Sequence, residues 1–341
     1  DIPGSWIDYV VVADKPFFIE PLFTRDPRLI KQEHILMAMM AIKGIYAEHQ
    51  VQSLNHGIGF NTAAIELLLP TYGEQLGLKG KICRNWVLNP HPTLIPAIEA
   101  GWVESVCAFG GEVGMEKYTE ERSDIFFTGA DGTLRSNRTL AQVAGLYAID
   151  SFLGATLQMD YYGNSSTVTA GRLSGFGGAP NMGHNPGGRR HSSPAYHSLV
   201  EGKDTLHGGQ KIVIQMLKSS GKKGNNFVPE LDAIAIGRDA GMEAPPIMVY
   251  GEDVSHTVTE QGIAYCYMAE DAEERRLMLA SIAQGTPFGE MVTKEQIEAF
   301  RKAGKVAYPE DLGIDRSMAT KDLLACKNLE EIAECSGGLY V

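Results

Sequence analysis

The chain has 341 residues, enough for one large domain or two of modest size. Hydrophobic residues make up 44% of it and charged residues 21%, which is typical of a globular protein with a sizeable core. With 30 Lys and Arg against 42 Asp and Glu, the net charge of −12 argues against a nucleic-acid scaffold and against a binder of acidic membranes.

Short apolar runs rich in β-forming residues alternate with helical segments, which favours layers of helices and strands in an α/β fold. Periodicity predicts an amphipathic helix over residues 31–48 and a second helix over residues 62–69. The predicted strands are, in chain order, residues 7–13 (expected to be buried), 51–57, 102–109, 155–160, 211–217, 233–237 and 246–250.

From about residue 270 the chain is predicted to be helical. Thr293 and Gln296 form a capping box, and Gly304 is the expected end of that helix. Another helix is predicted over residues 321–335. We assign no chemistry to this part, because amphipathic surface helices usually cover a core.

The cysteines give no pattern of a metal site. There are five of them without short spacing, which predicts reduced, buried thiols in a cytoplasmic protein. Neither an HExxH motif nor a paired CxxC motif is present, and no apolar run approaches the ~18–20 residues of a membrane span. No signal peptide is recognised, and the first residue is Asp1 rather than Met, so we expect a fragment or a processed product.

The first candidate site is the stretch SLNHGIGFNT, residues 53–62, in which a strand runs into a two-glycine turn and then a helix. Such a turn exposes successive N–H groups that bind an anion or a developing oxyanion. The candidate catalytic residues are Asn55, Gly57, Ile58 and Gly59. The stretch lacks the third glycine of a dinucleotide fingerprint and the Lys-Ser/Thr pair of a P-loop, and a plain tight turn remains the alternative.

Two further segments contain candidate substrate-binding residues. In residues 171–190, seven of twenty residues are glycine, which is typical of a functional loop, although a solvated charged loop is the alternative. Near residues 80–93, a histidine lies between two prolines and serves either as a general base or as a structural residue. The substrate-binding candidates are Arg84, Asn89, His91, Arg172, Gly177, Gly178, Ala179, Arg189 and Arg190.

Four motifs in this order resemble the second half of the CoA-transferase superfamily. They are NHGIG at 55–59, GATLQMD at 154–160, GFGGA at 175–179 and TEQGI at 259–263. Within that superfamily, residues 110–142 and 175–199 resemble the alpha-subunit family of malonate decarboxylase.

The resemblance implies a CoA-transferase-like α/β fold, with an open, mostly parallel sheet flanked by helices and a helical C-terminal region. It implies that residues 1–30 are a linker or tail from an absent N-terminal half, and that residues 31–341 are the second of two related domains. An active site between the halves would then be incomplete in this chain.

The resemblance also implies an activity, in which acetyl-S-ACP and malonate give malonyl-S-ACP and acetate (ACP is the acyl carrier protein). The implied partners are the ACP subunit, the carboxy-lyase subunits and the N-terminal half of the same subunit. No tightly bound cofactor is expected; the substrate is the CoA-like phosphopantetheine group of ACP. Neither nucleic-acid binding nor membrane insertion is implied.

Many CoA-transferases carry a nucleophilic glutamate in a Glu-Asn-Gly motif, but the matching region near residues 84–93 contains none. We therefore expect direct transfer through a mixed anhydride, as in citrate lyase alpha subunits, with Glu66, Glu99 and Glu112 as alternative nucleophiles. The glycine turn would supply oxyanion donors, and Arg84, Arg172 and Asn89 would bind malonate. The 171–190 loop would line the pantetheine tunnel, with Arg189 and Arg190 at its phosphates.

Three other functions remain open. The first is a transferase of the same fold that acts on citrate or acetate, and the second is a non-catalytic assembly or sensor module. The third is a sugar-phosphate isomerase, which the stretch at residues 175–199 disfavours. Lys218, Lys222 and Lys223 are expected to form a solvated loop, with docking of an acidic carrier protein as the alternative.

Overall fold

The structure, a computed structural model, describes residues 3–15, 24–108, 110–129, 134, 149–166, 182–183, 211–222, 224–242 and 249–341, and the backbone of residues 168–169 and 172–173. The strands are β1 (Ser53–His56), β2 (Asn85–Leu88), β3 (Ser105–Ala108), β4 (Ser151–Ala155), β5 (Gln158–Asp160), β6 (Ser165–Ser166), β7 (Val168–Thr169), β8 (Arg172–Leu173), β9 (Ile212–Met216), β10 (Ser220–Gly221), β11 (Gly224–Asn225), β12 (Phe227–Val228), β13 (His256–Val258), β14 (Ile263–Ala264) and β15 (Val306–Ala307). The α-helices are α1 (Gln32–Ala41), α2 (Phe60–Leu68), α3 (Ile95–Glu99), α4 (Glu116–Glu121), α5 (Ala233–Asp239), α6 (Ala272–Ser281), α7 (Lys294–Lys302) and α8 (Leu329–Cys335).

Among the described residues, eight strands form one large sheet in the order β15-β14-β13-β9-β4-β1-β2-β3. The strands from β3 to β13 run parallel, and β14 and β15 add an antiparallel edge. The predicted open, mostly parallel sheet is confirmed. From β1 the chain proceeds through β2 to β3, and β4 then returns to the other side of β1.

The helix that follows the N-terminal segment lies inside the core. Residues 35–41 of α1 are all buried, and α1 packs against α2 on one face of the sheet. A π-helix continues it over Ile42–Ala47. The predicted helix over 31–48 is therefore confirmed, but its predicted amphipathic character is wrong, because apolar side chains cover every side of it.

Three strand predictions contain an observed strand of the main sheet, namely residues 51–57 (β1), 102–109 (β3) and 211–217 (β9). The segment 155–160 is divided, since β4 ends at Ala155 and β5 starts a small sheet with β6 and β12. Of the segment 246–250, residues 246–248 lie outside the described residues.

Two strand predictions are wrong. Residues 7–13 form no strand and are exposed, because no described strand pairs with them. Residues 233–237 are helical, since the side chain of Asp232 accepts hydrogen bonds from the N–H groups of Ile234 and Ala235 and caps α5.

The C-terminal predictions are confirmed in part. The capping box of α7 is present. The N–H of Gln296 donates to the hydroxyl of Thr293 at 3.2 Å, and the N–H of Thr293 donates to the side-chain oxygen of Gln296 at 2.9 Å. Of the helix predicted over 321–335, Lys321–Leu323 form a 3-10 turn and only Leu329–Cys335 form an α-helix. Between them the N–H of Ala325 donates to the carbonyl of Leu67 of α2 at 3.0 Å.

The cysteines are free, as predicted, and three of the five are buried. Within the described ranges, each helix is too short or too polar to cross a bilayer. Of the three candidate basic residues, Lys218 pairs with Glu33 at 2.9 Å, Lys222 is exposed, and Lys223 lies outside the described residues.

Candidate active site

The turn after β1 lies where the strand order of the parallel sheet changes direction. The strands β2 and β3 lie on one side of β1, and β4 lies on its other side. β1 and β4 are parallel neighbours, with His56 opposite Leu153. In open α/β sheets, ligands bind at the carboxyl ends of the strands at such a switch point. The turn predicted at Gly57–Gly59 therefore occupies the place where a ligand is expected.

Hydrogen bonds fix the shape of this turn. The amide of Gly57 donates to the carbonyl of Leu153 at 2.8 Å, and the hydroxyl of Thr62 lies 2.8 Å from the carbonyls of Gly57 and Gly59. Gly59 precedes α2, and a Cβ placed on it would lie 2.8 Å from the Cβ of Ala155. Only glycine lets the turn pack this closely on β4.

The turn offers two of the three predicted amide donors. Gly57 is excluded as an oxyanion donor, because Leu153 already takes its N–H. The amides of Ile58 and Gly59 have no hydrogen-bond partner among the described residues. They precede the first turn of α2, where the helix dipole favours negative charge.

Behind the turn, α2 places a buried carboxylate. Oε1 of Glu66 accepts hydrogen bonds from Nδ1 of His56 at 3.0 Å and from Nδ1 of His91 at 2.9 Å. Oε2 accepts from the hydroxyl of Thr93. On the far side, Nε2 of His56 lies 2.8 Å from the hydroxyl of Tyr46. The Glu66 side chain has no exposed surface, so its polar neighbours replace water.

Electrostatics keep this carboxylate ionised. Burial alone would raise the pKa of Glu66, but the charge of His91 and the hydrogen bonds from both histidines lower it to about 2. Burial lowers the pKa of His56, which favours a neutral ring that accepts the Tyr46 hydroxyl hydrogen on Nε2. Since Glu66 takes the Nδ1 hydrogen of His91, Nε2 is the ring nitrogen of His91 left for another partner.

A small cleft joins His91 to the glycine turn. Arg25, which precedes α1, and Thr93, whose hydroxyl donates to Glu66, are among the residues that line it. The residues that line the cleft are Thr24, Arg25, Gly59, Thr62, Ala63, His91, Pro92 and Thr93. A cleft lined by an arginine, a glycine with an unpartnered amide and a histidine is suited to bind a carboxylate.

The other described candidates lie away from this cleft or have their donors engaged. Arg84 lies at the amino end of β2 and pairs with Glu104 through two contacts of 2.7 Å, so the structure does not bring it to the carboxyl edge. The amide nitrogen of Asn55 donates to Val87, and its oxygen is buried with no hydrogen-bond partner among the residues that the structure describes. Asn89 packs against Gly110 and does not line the cleft.

The remaining candidates cannot be placed in the site. The backbone of Arg172 is in β8, which pairs with β7 in a separate two-stranded sheet. Most of the loop at 171–190 lies outside the described residues. The candidates outside the described residues are Gly177, Gly178, Ala179, Arg189 and Arg190.

Two of the alternative nucleophiles are engaged by neighbouring side chains. Each oxygen of Glu66 receives at least one hydrogen bond. Glu99 accepts from the hydroxyl of Tyr118 at 2.6 Å and from the guanidinium of Arg122. Glu112 is buried. Because Glu66 is fully buried and both of its oxygens accept hydrogen bonds, its geometry favours positioning His91 over attacking a thioester.

Sequence reasoning missed the role of two residues. The sequence predicts Glu66 only as an alternative nucleophile, although a lone glutamate within the apolar run TAAIELLL is itself a sign of a buried polar network. Arg25 falls in the segment predicted to be a linker, and no local pattern marks it.

Comparison with known proteins gives a consistent assignment. The model of the family described as "Malonate decarboxylase, alpha subunit, transporter" matches residues 1–341. The chain is 53% identical over 348 residues to the acetyl-S-ACP:malonate ACP transferase of Malonomonas rubra. This alignment covers 100% of this chain and 63% of that protein.

Two solved structures are also similar over the whole chain. A malonate decarboxylase alpha subunit from Acinetobacter baumannii has 60% identity and a TM-score of 0.87. A Pseudomonas malonate decarboxylase hetero-tetramer in complex with malonate has 61% identity and a TM-score of 0.88. Both comparisons cover 100% of this chain and 63% of the matched chain, so the chain spans under two thirds of the length of these relatives. The chain belongs to the alpha-subunit family of malonate decarboxylase.

Proposed function

We propose that the full-length protein containing this chain transfers ACP from acetate to malonate, so that acetyl-S-ACP and malonate give malonyl-S-ACP and acetate. The observation that carries this proposal is the 53% identity, over all of this chain, to a protein with that activity in its name. The cleft adds chemical support, since Arg25, His91 and the amide of Gly59 suit an anionic acceptor.

The transfer proceeds without a covalent enzyme intermediate. A carboxylate oxygen of malonate bonds to the acetyl carbonyl carbon, the carbon–sulfur bond breaks and the ACP thiolate leaves. The thiolate then bonds to the malonyl carbonyl carbon of the mixed anhydride, the carbon–oxygen bond breaks and acetate leaves. Both nucleophiles are already anionic, so no proton is consumed or released.

Four residues near the turn serve this reaction. The free amides of Ile58 and Gly59 stabilise the oxyanion that forms at each attacked carbonyl. Nε2 of His91 contacts the reacting carboxylate, and Glu66 is a positioning residue that holds the His91 ring through Nδ1 at 2.9 Å. Pre-set groups of this kind accelerate a reaction that needs little acid–base chemistry.

The remaining expectations complete the proposal. Residues 31–341 form the second of two α/β halves, and residues 1–30 connect it to the first. The loop at 171–190 lines the path of the phosphopantetheine arm, with Arg189 and Arg190 at its phosphates. The partners are the ACP and carboxy-lyase subunits of a cytoplasmic complex, and the prosthetic group of ACP is substrate rather than a resident cofactor.

The test is the conversion of acetyl-ACP to malonyl-ACP by the full-length subunit in its complex, followed by intact mass of ACP. Samples quenched with hydroxylamine or borohydride are searched for a modified glutamate. Malonyl-ACP without an adduct is expected. An adduct on a glutamate would overturn the direct route, and the absence of malonyl-ACP with malonate, citrate or acetate would overturn the function.

A further inference from the structure

Arg25 brings to the cleft a positive charge that has no acidic partner in the described part of the chain. It lines the cleft with Gly59 and His91, and no ion pair found among the described residues includes it. Its acidic neighbour, Asp26, is engaged by Arg28, whose main chain and guanidinium donate to it over 2.9–3.1 Å. The guanidinium of Arg25 is therefore available to an anion.

The far end of the chain holds this guanidinium in place. Nη1 of Arg25 donates to the hydroxyl of Tyr340 at 3.0 Å. Tyr340 is 3% exposed, and its main-chain N–H donates to the hydroxyl of Ser336 at 2.9 Å, just after α8. A guanidinium has five N–H donors in a planar fork, so this tether fixes its position and leaves donors for a carboxylate.

Resting on the function proposed above, we propose that Arg25 binds the second carboxylate of the acceptor and so favours malonate over acetate. The two carboxylates of malonate are joined by a single methylene group, so their binding groups must be neighbours. Arg25 lines the same cleft as His91, which is assigned to the reacting carboxylate, and as Gly59, whose amide is assigned to the oxyanion. Acetate has no second carboxylate, so it gains nothing from Arg25.

The experiment compares two acceptors in the full-length complex. One assay measures kcat/KM for malonate with acetyl-ACP, and the other measures the exchange of labelled acetate into acetyl-ACP. For Arg25→Gln we expect kcat/KM for malonate to fall roughly 10- to 100-fold, as for loss of a charged hydrogen bond, while acetate exchange stays within about threefold. Tyr340→Phe should raise KM for malonate by a smaller factor.

Arg238→Gln is the control, because Arg238 is exposed, pairs with Asp239 and does not line the cleft. It should leave both assays unchanged. An equal loss of malonate transfer and acetate exchange in Arg25→Gln would overturn the proposal, since Arg25 would then serve both acceptors. Unchanged malonate kinetics would overturn it as well.

A binding measurement separates this proposal from the proposed function. The rise in Tm with added malonate, and with acetate, is measured for wild type and Arg25→Gln without any acyl donor. A malonate-dependent rise that Arg25→Gln loses would support the role of Arg25 even if no transfer occurred. No rise in wild type, or the same rise in Arg25→Gln, would overturn it.

Discussion

Nδ1 of His91 donates a hydrogen bond to Oε1 of Glu66 at 2.9 Å, and the same oxygen accepts from Nδ1 of His56. This arrangement explains how a buried glutamate is retained in an apolar helix. Hydrogen bonds from three donors stabilise its charge in the interior. One of these donors, His91, lines the cleft beside the glycine turn. A carboxylate held in this way orients another residue instead of attacking a thioester.

The first prediction concerns Glu66→Gln. The new amide can face Thr93, whose hydroxyl accepts as well as donates, so the variant should fold. Loss of the charge weakens the hold on His91, and we expect kcat to fall roughly 100-fold. His91→Gln should cost a similar factor, and the double variant should be no worse than either, because the two residues act as a unit. Additive losses in steady-state kinetics would contradict this coupling.

The second prediction concerns Gly59→Ala. The added Cβ would approach the Cβ of Ala155 to 2.8 Å and displace the amides of the turn. Loss of an oxyanion donor typically lowers kcat by about 10²–10³, and we expect a loss in that range. Gly111→Ala is the control, since a Cβ there meets no described atom within 4 Å. Wild-type turnover in Gly59→Ala would show that the turn takes no part in the reaction.

The third prediction concerns Arg84→Ala. Arg84 pairs with Glu104 at the amino end of β2, and the side chains are 38% and 51% exposed. A surface pair of this kind contributes about 0–1 kcal/mol to stability. We expect malonate kinetics within twofold of wild type and a small change in Tm. A large rise in KM for malonate would restore Arg84 as a binding residue.

The fourth prediction concerns acid stability. Burial lowers the pKa of His56 and His256, and it lowers that of His34 to about 4. The unfolded chain therefore takes up protons first, so stability is full above pH 6.5 and falls as the pH drops toward 4. Glu66, with its pKa lowered to about 2, adds a further loss between pH 4.5 and 2.

Urea unfolding of wild type and His34→Gln at several pH values tests this expectation. The unfolding midpoint of wild type should fall between pH 6.5 and 4, and the fall should be shallower in His34→Gln. A wild-type midpoint that rises on acidification would contradict the assignment.

Much of the fold is predictable because its signals are local. The apolar run that forms β9 is buried at every position inside a parallel sheet, which gives it a recognisable composition. The run at 7–13 has the same composition but lacks a described partner strand, so composition alone misleads there. At residues 233–237 the side chain of Asp232 caps the first turn and stabilises a helix instead of a strand.

The site is predictable only in part. The glycine turn is local in sequence, and its place at the edge of the sheet follows from the strand that precedes it. The pairing of Glu66 with His91 joins α2 to the segment after β2, and Arg25 meets Tyr340 across 315 positions. Such pairings depend on the order of strands in the sheet and on where the chain termini pack, which no local pattern encodes.

The exposed segment at residues 6–12 has a practical consequence for handling the chain. Trp6, Tyr9 and Val10 are 74%, 89% and 81% exposed, in a stretch with high β-propensity, one charge and no proline. Unpaired segments of this composition are templates for intermolecular β-pairing. We expect this chain alone to self-associate with rising concentration, and Val11→Lys to suppress that association by placing a charge in the middle of the segment.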